Sequence, residues 1–340
     1  MIPINTPLTK RLGIQTPIIL APMAFGDTPE LVAAVSAAGG FGCLGAGFHS
    51  TVELKEKIQK IRSALKTAQG TPVPIGIGFI GWILDMTEVS DDPRLEAILD
   101  EVPVAIWFAF GADLGKYIDQ VRAYDERHGR KTFIFVIVNS VDDARRAALK
   151  GVDALVVQGT EAGGHGGSES PPLFPLLQAV LREMKPGPLI LAAGGISTGA
   201  QIAALLTMGA DGVALGTRFL FTPESAYSPA MKDVLVKANL AATVRTLAYD
   251  DAGRTNFWPP KHDGRAISNQ IMDDYNAGMS LEERLKLFDE SAARGEKSRL
   301  IIWAGVGAGL TAEIKPASDV LVELHDEAVH KLRGAAGLLL

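Results

Sequence analysis

The sequence predicts an α/β protein in which eight parallel strands close into a (β/α)8 barrel, with a helical insert ahead of the last helix. Two observations on the chain carry that expectation. Eight short apolar runs recur along the first two thirds of the 340 residues, and a helix-patterned segment fills nearly every gap between them. The chain is also rich in Ala, Gly, Val, Leu and Ile, as strands buried on both faces require. Alternating strand and helix gives a parallel sheet, and a count of eight favours the closed TIM-type barrel over an open sheet.

The elements follow in order. Pro17-Ile18-Ile19-Leu20-Ala21-Pro22 is an apolar run stopped by proline, hence a strand. Thr28 caps a helix with Pro29 at its first position, and Gly39-Gly40 ends it. Phe41–Gly45 is the second strand, and an amphipathic helix runs from Thr51 to about Ala68. Lys66–Pro74 reads as a loop, Pro74–Ile80 as the third strand and Arg94–Glu101 as a short helix. Strands at Val104–Phe110, Thr132–Val138 and Ala154–Val157 are followed by helices at Leu114–Arg127, Val141–Leu149 and Leu173–Met184. Pro188–Ala193 and Gly212–Leu215 complete the eight, with a helix Ser197–Met208 between them. The pattern then changes. Residues 223–315 are more charged and are interrupted by Trp258-Pro259-Pro260 and Gly278, with helices expected at Pro229–Ala238 and Leu281–Ala293. This stretch reads as a mainly helical insert or lid. Pro316–Leu332 places Val320, Leu321, Leu324, Ala328 and Leu332 on one face, as a helix returning to the barrel would. The expected division is therefore 1–222 with 316–340 as barrel, and 223–315 as insert.

Bulk properties exclude several classes. The net charge of −6 and the scattered basic residues argue against a nucleic-acid surface. No apolar run reaches the ~20 residues that span a bilayer. A single cysteine, Cys43, excludes an internal disulfide and fits a reducing, cytoplasmic setting; it reads as a small buried hydrophobe. No pair of histidines has a convincing metal spacing with a carboxylate, so no metal is expected. His49, His128, His262, His325 and His330 read as surface or capping groups.

In such a barrel the site lies at the C-terminal ends of the strands. Strand one ends Ala21-Pro22-Met23, strand three carries Gly76 and Gly78, and strand five ends Asn139-Ser140. Strand six leads into Gln158-Gly159-Thr160-Glu161-Ala162-Gly163-Gly164-His165-Gly166-Gly167-Ser168, four glycines around one histidine. Glycine lets a backbone approach a ligand closely, and so bare a loop costs much chain entropy. It reads either as a flexible turn with a solvated histidine or as a ligand-facing loop with a titratable ring at its centre. Strands seven and eight end Ala193-Gly194-Gly195-Ile196-Ser197 and Gly216-Thr217-Arg218. Adjacent glycine turns offer backbone N–H groups to a phosphate, and phosphate sites after these two strands recur in this fold. There is no G-x-G-x-x-G after the first strand and no P-loop, so the phosphate belongs to a flavin or a phosphorylated substrate.

Ala21-Pro22-Met23, Glu161–Gly167, Ala193-Gly194-Gly195-Ile196 and Leu215-Gly216-Thr217-Arg218-Phe219 resemble, in order and spacing, the nitronate monooxygenase family, once called 2-nitropropane dioxygenases. The resemblance runs over Pro17–Phe221 and weakly again at Trp303–Pro316. It implies an FMN-containing flavoprotein, an oxidoreductase that converts alkyl nitronates, and neutral nitroalkanes as well, to carbonyl compounds and nitrite with O2. It leaves a homodimer open. The same motifs occur in FMN-dependent enoyl-acyl carrier protein reductases and NADH:quinone reductases, so an NAD(P)H-dependent flavin reductase acting on a quinone or enoyl thioester is the alternative. A non-catalytic flavin-binding module ranks behind both. Residues 304–310 depart from the Gly-Gln-Gly loop of some members.

Carried over residue by residue, the resemblance implies that Ala21, Pro22 and Met23 lie beside the flavin ring, with Gly78 and Phe79 lining it. Asn139 and Gln158 would hydrogen-bond the ring edge or tail. Ala193, Gly194, Gly195, Gly216 and Thr217 would surround the phosphate, Gly163 and Gly167 would let the chain skirt the cofactor, and His165 would be the catalytic base. Plainer readings stand beside these: Met23 as core, Asn139 as the N-cap of the following helix, Gln158 as a satisfied core amide, and Arg218 as partner of a carboxylate in the insert.

Overall fold

The computed structural model describes residues 2–339. Its barrel strands are β1 (Ile18–Leu20), β2 (Phe41–Gly45), β3 (Val73–Ile80), β4 (Pro103–Ala109), β5 (Phe133–Val138) and β6 (Ala154–Gln158). After β7 (Gly164–Gly167), which lies outside the barrel, come β8 (Leu189–Ala193) and β9 (Gly212–Leu215). The eight barrel strands pair in parallel in the order β1-β2-β3-β4-β5-β6-β8-β9, and β9 closes on β1 through Ile19↔Ala214. The expected strands stand within about two residues of these bounds, the usual uncertainty at element ends.

Side-chain alternation along the strands makes two cores. Ile18, Leu20, Ile106, Phe108, Ile134 and Val136 point outward and pack under the helices. Ile19, Cys43, Trp107, Phe135, Val156 and Leu191 point inward and fill the barrel. Phe135 lies 5.2 Å from Trp107 and 6.3 Å from Phe41, so one aromatic layer spans the interior. The barrel is thus a packed body, and only its ends can hold a ligand.

The chain before β1 holds a helix that the apolar pattern does not announce, Pro7–Leu12, opened by a reciprocal Thr6–Thr9 capping box. Leu8 on this helix is fully buried and joins the inner core, so the helix plugs the end of the barrel away from the site. At the other end of the chain, the helix Ala317–Ala336 buries Val320, Leu321, Leu324 and Ala328, the face expected from the sequence. It packs so tightly on the helix Gly199–Met208 that a Cβ on Gly199 would meet the Leu324 carbonyl. His325 corrects a surface assignment. It is fully buried, and its Nε2 lies 2.8 Å from the Ile2 carbonyl oxygen, tying the N-terminal segment to this helix.

Between β9 and that last helix lie helices at Pro229–Leu235, Ala248–Gly253, Gln270–Asn276 and Leu281–Ala293, and also β10 (Thr243–Thr246) and β11 (His262–Ile267). β10 and β11 form an antiparallel sheet whose third strand is β7. The glycine-rich stretch around His165 is therefore not a loop throughout. Residues 164–167 form a strand, with His165 opposite Gly264 and Gly164 opposite Arg265. Short-range periodicity cannot reveal such a strand, because its partner lies about a hundred residues further on.

Candidate active site

The C-terminal ends of the barrel strands open on one pocket. Its backbone-made half lies over β8 and β9. Gly194 and Gly195 have φ of +109° and +70°, a region that side chains avoid, and this turns their amides out of the strand direction. A Cβ on Gly194 would also come within 3.1 Å of the Ala162 nitrogen. The amides of Gly194, Gly195, Gly216 and Thr217 have no acceptor among the described residues. Thr217 opens a short helix, whose first amides have no partner within the helix. The segment 304–310 laces this region to its neighbours. The Gly305 amide donates to Thr217 Oγ1 (2.9 Å), the Val306 amide to the Glu161 carbonyl (3.0 Å), and Ser197 Oγ to the Gly307 carbonyl (2.8 Å). Close contact explains Gly163, where a Cβ would strike the backbone of Ala304 and Gly305.

On the β1 side, Asp27 Oδ2 accepts from the Met23 amide (2.6 Å) and the Gly45 amide (2.8 Å), fastening the ends of β1 and β2 together. Burial pushes the Asp27 carboxyl up to about 7, against the pull of those two amides. Ala21, Pro22 and Met23 line the pocket from here, and Gly78 lies so close to the Pro22 ring that no Cβ would fit. Met23 is half-buried, lines the pocket and packs on the core as well. Burial pushes the Cys43 thiol up, and it behaves as the apolar filler expected.

The side-chain half is built around His165. Its Nε2 lies 2.9 Å from Oδ1 of Asp250, which is fully buried and comes from the helix Ala248–Gly253. The same oxygen accepts from Thr255 Oγ1 at 3.0 Å, while Asp250 Oδ2 has no partner. The imidazole stacks on Trp258 with centroids 3.5 Å apart and planes 7° from parallel, and Trp303 lies 4.6 Å away on a tilted plane. A side chain at Gly264 would collide with Trp303 and stand 3.1 Å from His165 Nε2, so this glycine is what lets the rings close in. Burial holds the imidazole below its ordinary value. The Asp250 hydrogen bond and charge oppose that shift, and Arg245 adds to it. A carboxylate accepting from Nε2–H fixes the tautomer and leaves Nδ1 with its lone pair free to act as a base. Nδ1 has no hydrogen-bond partner among the described residues, and His165 lines the pocket.

Of the residues singled out in the sequence, Ala21, Pro22, Met23, Gly78, Gln158 and Gly163 line the pocket, with His165, Ala193, Gly194, Gly195, Gly216 and Thr217. Asn139 and Gly167 stand one layer behind it. Asn139 Nδ2 donates to the Gln158 carbonyl (3.0 Å) and to Gln158 Oε1 (2.9 Å), and Gly167 packs on the Asn139 side chain. The N-cap of the next helix is Ser140 and not Asn139. Gln158 Nε2 in turn donates to the His165 carbonyl at 3.2 Å, so this amide pair positions β7. Arg218 is buried with its Nη1 unpartnered and forms no ion pair with the insert among the described residues. Asp250, Thr255 and Trp303 escaped the sequence reading, and Trp258 entered it only as an interruption. An acidic pair after Leu247-Ala248-Tyr249 and a tryptophan within the weak resemblance at 303–316 were the available signals.

The family model described as nitronate monooxygenase matches residues 5–327. The chain belongs to the nitronate monooxygenase family. It is 33% identical to a nitronate monooxygenase of Neurospora crassa, over 93% of this chain and 90% of that protein. It is 32% identical to the nitronate monooxygenase npaC of Metarhizium robertsii, over 92% and 90%. Among solved structures it resembles FabK from Thermotoga maritima (TM-score 0.77, 29% identity, 98% and 99% of the two chains). It resembles equally a nitroalkane oxidase from Streptomyces ansochromogenes (TM-score 0.77, 26% identity, 97% and 99%).

Proposed function

We propose that this protein is a flavin-dependent oxidoreductase that uses FMN and O2 to convert alkyl nitronates, and nitroalkanes after loss of an α-proton, to carbonyl compounds and nitrite. The observation that carries the reading is the His165–Asp250 pair, a pocket-lining imidazole whose Nε2 lies 2.9 Å from a buried carboxylate and whose burial favours the uncharged ring. The unpaired amides of Gly194, Gly195, Gly216 and Thr217 fit a phosphate, which backbone N–H groups can hold without a cation. Bound there, the flavin supplies the one-electron oxidation of the nitronate and the reaction with O2. His165 Nδ1 removes the α-proton of a neutral nitroalkane, and Asp250 stabilises the imidazolium that forms while holding the ring in place. A nitronate is already an anion and needs no such step. Trp258 and Trp303 keep water from the imidazole, and residues 223–315, which carry Asp250 and both tryptophans, act as the lid over the barrel.

Anaerobic mixing of the yellow protein with ethylnitronate is expected to bleach the flavin, and denaturation is expected to release FMN. Bleaching by NADPH but not by the nitronate would support a flavin reductase instead.

A further inference from the structure

Aromatic rings from five separate segments cluster at the pocket, and all but Phe257, which packs on Trp82, line it. Phe25 follows β1, Phe48 follows β2, Trp82 follows β3, Phe110 follows β4, and Phe257 and Trp258 come from the insert. Trp82 is the hub, with centroids 5.8 Å from Phe48, 6.3 Å from Phe257 and 5.4 Å from Trp258. Trp258 is also 5.5 Å from Phe110 and carries the chain of rings inward to His165. Phe25, Phe48 and Phe257 are 59%, 51% and 69% exposed. Three large apolar rings left in water beside one opening form a patch that a ligand can cover.

The polar groups in this region share one chemistry. The indole N–H groups of Trp82 and Trp258 are buried and have no acceptor among the described residues. Among the described residues, no Lys, Arg, Asp or Glu lines the pocket. Its titratable side chains are His165 and Tyr227, and the Tyr227 hydroxyl is already committed to the Trp303 carbonyl at 2.8 Å. A second charged group on the substrate would lose its water here without gaining a counter-charge. An apolar substituent would gain ring contacts instead.

We propose that the ring cluster is the binding site for the substrate's substituent, so that the preferred substrates are nitronates bearing an apolar chain or an aromatic ring and no second charged group. This rests on the nitronate reading above. Trp82 is the main specificity-determining residue and Phe257 the outer one. Each methylene buried against the rings is worth about fourfold in affinity.

Alkyl carboxylates share the planar, anionic head of a nitronate but are not oxidised, and so report binding alone. Calorimetry on the flavin-loaded protein would compare butyrate, hexanoate, 3-phenylpropionate and succinate. Hexanoate is expected to bind about fifteenfold tighter than butyrate, 3-phenylpropionate at least as tightly as hexanoate, and succinate about tenfold weaker than butyrate. Trp82→Ala should narrow the gap between 3-phenylpropionate and butyrate severalfold. Phe257→Ala, at an exposed ring that the fold does not need, should narrow it less but in the same direction. Equal affinities across the series, succinate binding as tightly as hexanoate, or both variants keeping the full gap would overturn the proposal. An intact affinity ladder in a protein that oxidises no nitronate would break the nitronate reading and leave the ring site standing. Nitronate oxidation with a flat ladder would do the reverse.

Discussion

The two halves of the pocket are made in different ways. Over β8 and β9 the candidate binding groups are backbone amides at glycine turns, fixed by local chain geometry at Gly194, Gly195 and Gly216. Around His165 they are side chains drawn from distant parts of the chain. Asp250, Thr255, Trp258 and Trp303 reach a strand that itself pairs only with the insert. The first half can be damaged only by changing the main chain or filling its space. The second can be tuned one side chain at a time, because burial and the Asp250 hydrogen bond push the imidazole in opposite directions.

The largest expected effect falls on the backbone half. Gly194→Asp or Gly216→Asp should yield colourless protein with no activity on any substrate. A carboxylate about 4 Å from a phosphate costs ~4 kcal/mol per pair of unit charges near a protein surface, and at Gly194 the φ of +109° adds strain. The check is flavin absorbance per protein after reconstitution, and normal FMN content in both variants would move the phosphate elsewhere. Next comes Asp250→Ala. Loss of the orienting carboxylate should lower turnover of nitroethane by ~10²-fold or more while FMN stays bound, since a base in the wrong tautomer or orientation is ineffective. Because Asp250 raises the His165 value, the rising limb of the pH–rate profile should also move to lower pH. The smallest effect belongs to Trp258→Ala, a loss of a few-fold. Removing the stacked ring lets water reach the imidazole and relieves the desolvation that holds its value down, so the limb should move to higher pH. Opposite shifts in the two variants would sharpen the contrast between the halves. Shifts in the same direction would break the account of how His165 is tuned.

That contrast also explains what the sequence could disclose. The barrel was legible because each strand and its helix carry their own periodicity and punctuation, as in the helix opened by Thr28 and Pro29 and followed by Phe41–Gly45. The Gly194-Gly195 turn was legible because a positive φ leaves its mark as Gly at that very position. The partners of His165 were not, since Asp250 lies 85 residues away and nothing local to it distinguishes it from its neighbour Asp251, which pairs with Arg284. The strand character of residues 164–167 and the burial of His325 were hidden for the same reason, each being decided by a distant partner.

The central claim is that His165 is a neutral general base held by a carboxylate. His165→Asn, assayed with nitroethane and with ethylnitronate at equal FMN loading, tests it most directly. Asn keeps some hydrogen-bonding reach but takes no proton. Oxidation of neutral nitroethane should fall by ~10²–10⁴, the usual worth of general base catalysis, while ethylnitronate keeps most of its rate. In the unaltered protein the nitroethane rate should rise with pH through one ionisation lying below the ordinary imidazole value, because burial favours the uncharged ring. Equal losses for both substrates, or no loss for either, would contradict the claim.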